Sequence, residues 1–142
     1  MIVVDTGPLV ALVSPSDDNH AKCRAWFDSL VTRRLLIVPC TVVAEACFMI
    51  QKYGGTESEA LFLEDLAAGA YGIVTNLVPE DLTRMAALVR QYATLPLGGT
   101  DASVIAIAER IGTREVATID LRHFTTVRDR NGSAFTLLPT PS

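Results

Sequence analysis

Four carboxylates, Asp5, Glu45, Asp101 and Asp120, each interrupt an otherwise apolar stretch where a strand should end or a helix begin. Asp5 closes Met1-Ile-Val-Val, and Glu45 is the only charge between Leu35 and Ile50. Asp101 precedes the uncharged run Ala102 to Ala108, and Asp120 closes Val116-Ala-Thr-Ile. A carboxylate set against a core is costly unless compensated, and a divalent cation compensates several at once. Two carboxylates ~4 Å apart repel by about 4 kcal/mol at an effective dielectric near 20, so a pocket of such acids calls for a cation. Mg²⁺ is expected, with Mn²⁺ as the alternative, because both prefer oxygen ligands and keep several waters. A water activated there can attack a phosphodiester phosphorus in line, and a second ion would stabilise the leaving oxygen. That chemistry needs no nucleophilic Ser, Cys or His.

Each acid also has a plainer reading. A lone Asp after a strand commonly forms a turn or caps a helix, and Asp101 behind Thr100 favours a helix N-terminus electrostatically. Glu45 resists such a reading, because an acid inside an apolar helix has no capping role. Asp5-Thr6-Gly7 matches the triplet of aspartic proteases, but those are all-β and this chain is rich in helical patterns. A phosphoacceptor receiver domain would pair acids after its first strand and carry a late lysine, whereas no lysine follows Lys52. A haloacid-dehalogenase phosphatase would need Asp-x-Asp, and position 7 is Gly.

The elements that must position these acids follow from period and punctuation. Ile2–Val4 reads as a buried strand, followed by a short helix capped by Thr6 with Pro8 in its first turn. Ser14 to Asn19 is a turn cluster, and a helix is expected from His20 to about Arg33. Leu35–Val38 is a second strand, and Thr41 is expected to cap a helix that runs to about Tyr53 and stops at Gly54-Gly55. Thr56-x-x-Glu59 opens another helix. A strand near Ile73–Leu77, a helix from Pro79, a loop over Leu95–Gly99 and a helix from Asp101 to Ile111 capped by Thr100 come next. Val116–Ile119 and Ala134–Leu138 complete four to five strands.

Strands alternating with helices indicate an α/β chain with a parallel sheet covered on both faces. Ligands bind outside the carboxyl ends of such strands. Asp5 and Asp120 fall at strand ends, and Glu45 in the first turns of the helix after the second strand. The helix opened by Asp101 must run antiparallel to the strand it feeds, so its N-terminus shares that edge. All four acids are expected on one rim.

Composition bounds the rest. At 142 residues, 49% hydrophobic and 20% charged, the chain is expected to form a single domain over 1–142. Cys23, Cys40 and Cys47 are odd in number and read as small hydrophobes rather than a disulfide framework or zinc site. Two histidines are too few for a His-based metal site. No basic leader or apolar run of ~18 residues is visible, so a cytoplasmic protein without a membrane span is expected. A net charge of −4 argues against nucleic acid only at first sight, since the acidic cluster would be offset by cations. Arg122, His123, Arg128 and Arg130 follow Asp120 and read either as a solvated loop or as phosphate contacts. His20 reads as a solvated helix start, Trp26 and Phe27 as core or subunit interface, and Arg33-Arg34 as a charged helix end.

Val3-Val4-Asp5-Thr6, Glu45 in Val42-Val43-Ala44-Glu45, Thr100-Asp101-Ala102, and Val116-Ala-Thr-Ile-Asp120 followed by Arg122-His123-Phe124 together resemble the PIN domain. The similarity is greatest to VapC-like toxins of bacterial toxin–antitoxin pairs. The resemblance covers essentially the whole chain and rests on the order and spacing of short motifs. It implies a three-layer α/β/α sandwich, Mg²⁺-dependent endoribonuclease activity, a homodimer, and a cognate antitoxin that occupies the acidic groove. By the same resemblance Asp5 and Asp101 are the principal metal ligands, Glu45 binds metal or orients water, and Asp120 is the fourth acid. Thr6 and Thr118 would support them by hydrogen bonds. Two rivals are a PIN nuclease of RNA processing without an antitoxin, and a silent PIN-like module that binds RNA or protein.

Overall fold

Five short apolar segments pair into one parallel sheet. The computed structural model describes residues 1–32 and 35–141, and the helix end expected at Arg33-Arg34 lies outside the described residues. In chain order the elements are β1 (Ile2–Val4), α1 (Thr6–Val13), α2 (His20–Ser29), β2 (Leu36–Pro39), α3 (Cys40–Ala67), β3 (Ile73–Thr75), α4 (Pro79–Gln91), α5 (Gly99–Ile111), β4 (Glu115–Ala117), α6 (Leu121–Phe124) and β5 (Thr136–Leu138). The strand order is β3-β2-β1-β4-β5. Val3 pairs with Ile37 on one side and with Val116 on the other.

The chain steps from β1 outward to β2 and β3, then returns across the sheet to β4. Parallel crossovers are right-handed, so this reversal puts α1 to α3 on one face and α4 with α5 on the other. The result is the expected α/β/α sandwich. The reversal also opens a crevice between the carboxyl ends of β1 and β4, the place where doubly wound sheets hold ligands. Val3, Val38, Val116 and Ala117 are fully buried, as are Ile105 and Ile107 of α5 and Val42 and Ile50 of α3. β1 and β2 are buried throughout, which explains their unbroken apolar runs.

The helices are those expected except for the single turn α6, which falls where a loop is expected, and the ends of the others differ. Thr6, Thr41 and Thr100 are expected caps, whereas the extended residues before these helices are Asp5, Pro39 and Gly98. Each threonine therefore lies inside its first turn. The helix from His20 stops at Ser29, where Leu30 turns extended. Gly54-Gly55 breaks the third helix as expected: Gly55 adopts φ 82° and ψ −179°, and helix resumes directly beyond it. Phe27 is buried against Tyr71, and Trp26 packs at the edge of the core. His20 is not a solvated helix start, because its Nδ1 meets the Ala11 carbonyl oxygen at 2.7 Å and ties α2 to α1. All three cysteines are free thiols. Among the described residues no helix is long and apolar enough to cross a membrane.

Candidate functional site

Asp5 is the first residue beyond β1, and its amide stays hydrogen-bonded to the Ala117 carbonyl of β4 at 2.8 Å. The backbone is therefore fixed in the crevice between these strands. Gly7 follows because α1 leaves β1 hard against the β4 loop: a Cβ there would lie 2.5 Å from Ile119 Cγ1. The Asp5 carboxylate is only 6% exposed and accepts a hydrogen bond of 2.8 Å from the Thr118 hydroxyl. That hydroxyl in turn accepts the Asp120 amide at 3.0 Å, so Thr118 couples two of the four acids. Burial pushes the Asp5 carboxyl up to about 7, against the Thr6 amide and the Thr118 hydroxyl, while the charges of Asp101 and Glu45 push it further up.

Asp101 occupies the third helical position of α5 and takes a hydrogen bond from the Gly98 amide, half of a capping box. Its carboxyl is raised chiefly by burial, lowered by His123, and raised again by Asp120 and Glu45. Glu45 lies on the first part of α3, exposed, and its charge reaches both Asp5 and Asp101. Asp120 caps α6, its Oδ1 accepting the His123 amide at 3.1 Å.

The tightest grouping is Asp101, Asp120 and His123, whose candidate ligand atoms all lie within 4.8 Å of one another. His123 Nδ1 stands 2.5 Å from Asp120 Oδ2 and 3.6 Å from Asp101 Oδ2. Asp5 and Glu45 fall outside this trio but remain electrostatically coupled to it. Of the residues read from sequence as phosphate contacts, His123 thus faces the acids. Arg122 is exposed and donates to the Leu95 carbonyl at 3.1 Å. Arg128 folds onto the carbonyls of Thr125, Thr126 and Val127 at the end of α6. The Thr6 hydroxyl is buried and has no hydrogen-bond partner among the described residues.

Two features escaped the sequence reading. Thr41 of α3 and Ser103 of α5 meet hydroxyl to hydroxyl at 2.6 Å, tying together the helices that carry Glu45 and Asp101. Nothing local marks that pair. The Asp120–His123 contact did have a signal: a cap residue and the residue three beyond it reach back to one another at a helix start.

The four carboxylates form an oxygen donor set that suits a divalent cation, with the His123 imidazole beside them. Two of the acids are held above the usual carboxylate range by burial and mutual repulsion, which an ion would relieve. The residues present therefore fit a divalent ion.

Comparison with known proteins agrees with this architecture. The PIN-domain family model matches residues 2–129. Ribonuclease VapC26 of Mycobacterium tuberculosis is 30% identical over 138 residues, spanning 97% of this chain and 100% of that protein. VapC20 of M. tuberculosis, described as a toxin that cleaves the sarcin–ricin loop, aligns with a TM-score of 0.74 at 15% identity, covering 82% of this chain and 87% of that one. VapBC2 of Rickettsia felis, solved with a DNA fragment from its promoter, aligns with a TM-score of 0.65 at 13% identity, covering 96% and 98%. At such identities the two structures speak for the fold alone. The match along residues 2–129 and the near-full-length relative carry more, and the chain belongs to the PIN-domain family.

Proposed function

We propose that residues 1–142 act as one nuclease domain, a Mg²⁺-dependent endoribonuclease that also accepts Mn²⁺ and is the toxin of a toxin–antitoxin pair. The observation that carries this reading is the convergence of Asp5, Glu45, Asp101 and Asp120, whose charges act on one another at the mouth of the β1–β4 crevice. Asp5 and Asp101 would hold the ion, with Glu45 and Asp120 completing the acidic set. When bound, the ion supplies a water of lowered pKa and neutralises charge on the phosphate oxygens.

The chain's own residues do the remaining work. Thr118 fixes the Asp5 carboxylate, and the Gly98 amide fixes that of Asp101, so neither must be ordered at the moment of reaction. Glu45, exposed at the rim, is the acid placed to orient the attacking water and accept its proton. Attack by water leaves 5′-phosphate and 3′-hydroxyl ends. Arg122 and Arg128, exposed beyond Asp120, would contact RNA phosphates through the N–H groups not already given to backbone carbonyls. The name of VapC26 supports ribonuclease activity, and the toxin role follows from the resemblance to VapC-like toxins. The assembly containing VapBC2 supports an antitoxin partner. A homodimer in the cytoplasm is the form that the resemblance to VapC-like toxins implies.

The test is cleavage of a panel of structured RNAs by the purified chain with Mg²⁺. Asp5→Asn and Asp101→Asn are each expected to reduce cleavage at least ~100-fold, beyond the effect of losing an outer-shell partner. Cleavage that survives both substitutions would remove the metal-hydrolase reading. A wild-type chain that cuts nothing would favour a silent binding module instead. Co-purification of a small DNA-binding protein separates a toxin from an RNA-processing nuclease.

A further inference from the structure

We propose that His123 is a positioning residue of the acidic site: its ring N–H holds the Asp120 carboxylate beside Asp101 and so makes Asp120 part of the metal-binding set. The inference rests on the divalent-ion site proposed above. Its basis is the short helix α6. Phe124, only 1% exposed, anchors this single turn in the core. The Asp120 amide is held by Thr118 from the β4 side at 3.0 Å. The two carboxylate oxygens of Asp120 are then engaged by one residue, Oδ1 by the His123 amide at 3.1 Å and Oδ2 by the His123 ring at 2.5 Å. An aspartate gripped at backbone and at both oxygens has one orientation, and here that orientation brings it near Asp101.

The geometry points to positioning and not to direct ligation. Two ligand atoms each ~2.1 Å from one ion at a right angle lie about 3 Å apart, a wider spacing than the 2.5 Å between Nδ1 and Oδ2. Ring chemistry agrees. A metal on Nδ1 would leave the proton on Nε2, and metal-bound histidines donate that second N–H to a partner. Nε2 of His123 is buried with no partner among the described residues.

The experiment is calorimetric titration of the metal-stripped full chain with Mn²⁺, with urea unfolding of every variant as a folding control. His123→Phe keeps the ring volume but no donor, whereas His123→Asn offers an amide N–H close to the Nδ1 position. His123→Phe is expected to weaken Mn²⁺ binding about 10–100-fold, the usual effect of losing an outer-shell partner. His123→Asn should recover most of that loss, and in an Asp120→Asn background His123→Phe should cost nothing more. Unchanged affinity in His123→Phe, no recovery in His123→Asn, or an undiminished loss in the Asp120→Asn background would each overturn the inference, the last by making His123 a direct ligand. A wild-type chain that takes up no Mn²⁺ would also overturn it. RNA cleavage is scored separately: Mn²⁺ binding without cleavage removes the nuclease reading and leaves the histidine result standing.

Discussion

Asp5 is buried, and burial conflicts with the charge that a metal ligand would need. An unperturbed aspartate titrates near 3.9, whereas in the folded chain Asp5 is pushed up to about 7 by burial. Between those values the unfolded chain has lost its proton and the folded chain has kept it. Without metal, stability therefore falls as pH rises from about 4 to about 7 and changes little from this source on either side. The full effect is on the order of 4 kcal/mol. Asp5→Asn has the same shape and no charge to bury, so in chelator at pH 8 it should unfold at higher urea than wild type, with the gap closing toward pH 4. A variant less stable than wild type at pH 8 would show that the carboxylate is already compensated by the protein. The same substitution should remove cleavage, separating the site's function from its contribution to folding.

At the scale of elements, the site depends on two helix starts being held together. α3 brings Glu45 and α5 brings Asp101, and the Thr41–Ser103 hydroxyl pair joins them. Ser103 is fully buried and also donates to the Thr100 carbonyl at 2.6 Å. Ser103→Ala should cost about 1–3 kcal/mol, because it leaves the Thr41 hydroxyl short of a partner. Thr41→Val should cost a similar amount, and the double variant clearly less than the sum in urea unfolding. Simple additivity would mean that the pair does not couple the helices. Thr41 also shows why helix ends were harder to read than helices. Apolar periodicity is local and placed α1, α3 and α5 correctly in the sequence. A cap depends on what else the hydroxyl can bond, and Thr41's partner is 62 residues away. At the start of α5 the Gly98 amide donates to the Asp101 carboxylate, a contact that depends on how the preceding loop packs.

Across the whole molecule, a second charged network anchors the far end of α5. Glu109 lies eight residues beyond Asp101, about 12 Å along the helix at 1.5 Å per residue. It is 5% exposed and receives Arg84 of α4 at 2.7 and 3.1 Å and the Arg130 amide at 2.7 Å. Nearby, Asp81 holds Arg110 at 3.0 Å. These pairs clamp α4 to α5 and tie down the loop before β5. Glu109→Ala leaves the largely buried Arg84 without its partner and should cost about 3 kcal/mol in urea unfolding. Mn²⁺ affinity should stay unchanged, because the network shares no residue with the acidic rim. A collapse of metal affinity in that variant would instead show that α5 transmits strain along its length.

Local pattern is enough to give the alternation of strands and helices, and with it the parallel sheet and the shared rim. Both follow from local periodicity and from the rule that places ligands at carboxyl ends. It also singled out Asp5, Glu45, Asp101 and Asp120, because a charge in an apolar run is visible without any fold. How these acids are held depends on packing. Thr118 bridges Asp5 and Asp120 across the β1–β4 crevice, and Ser103 ties Asp101's helix to Glu45's. His123 turns from α6 onto the acids. Each of the first two bridges joins residues distant in sequence, and a hydrogen bond of that kind exists only once packing has brought its donor and acceptor within about 3 Å.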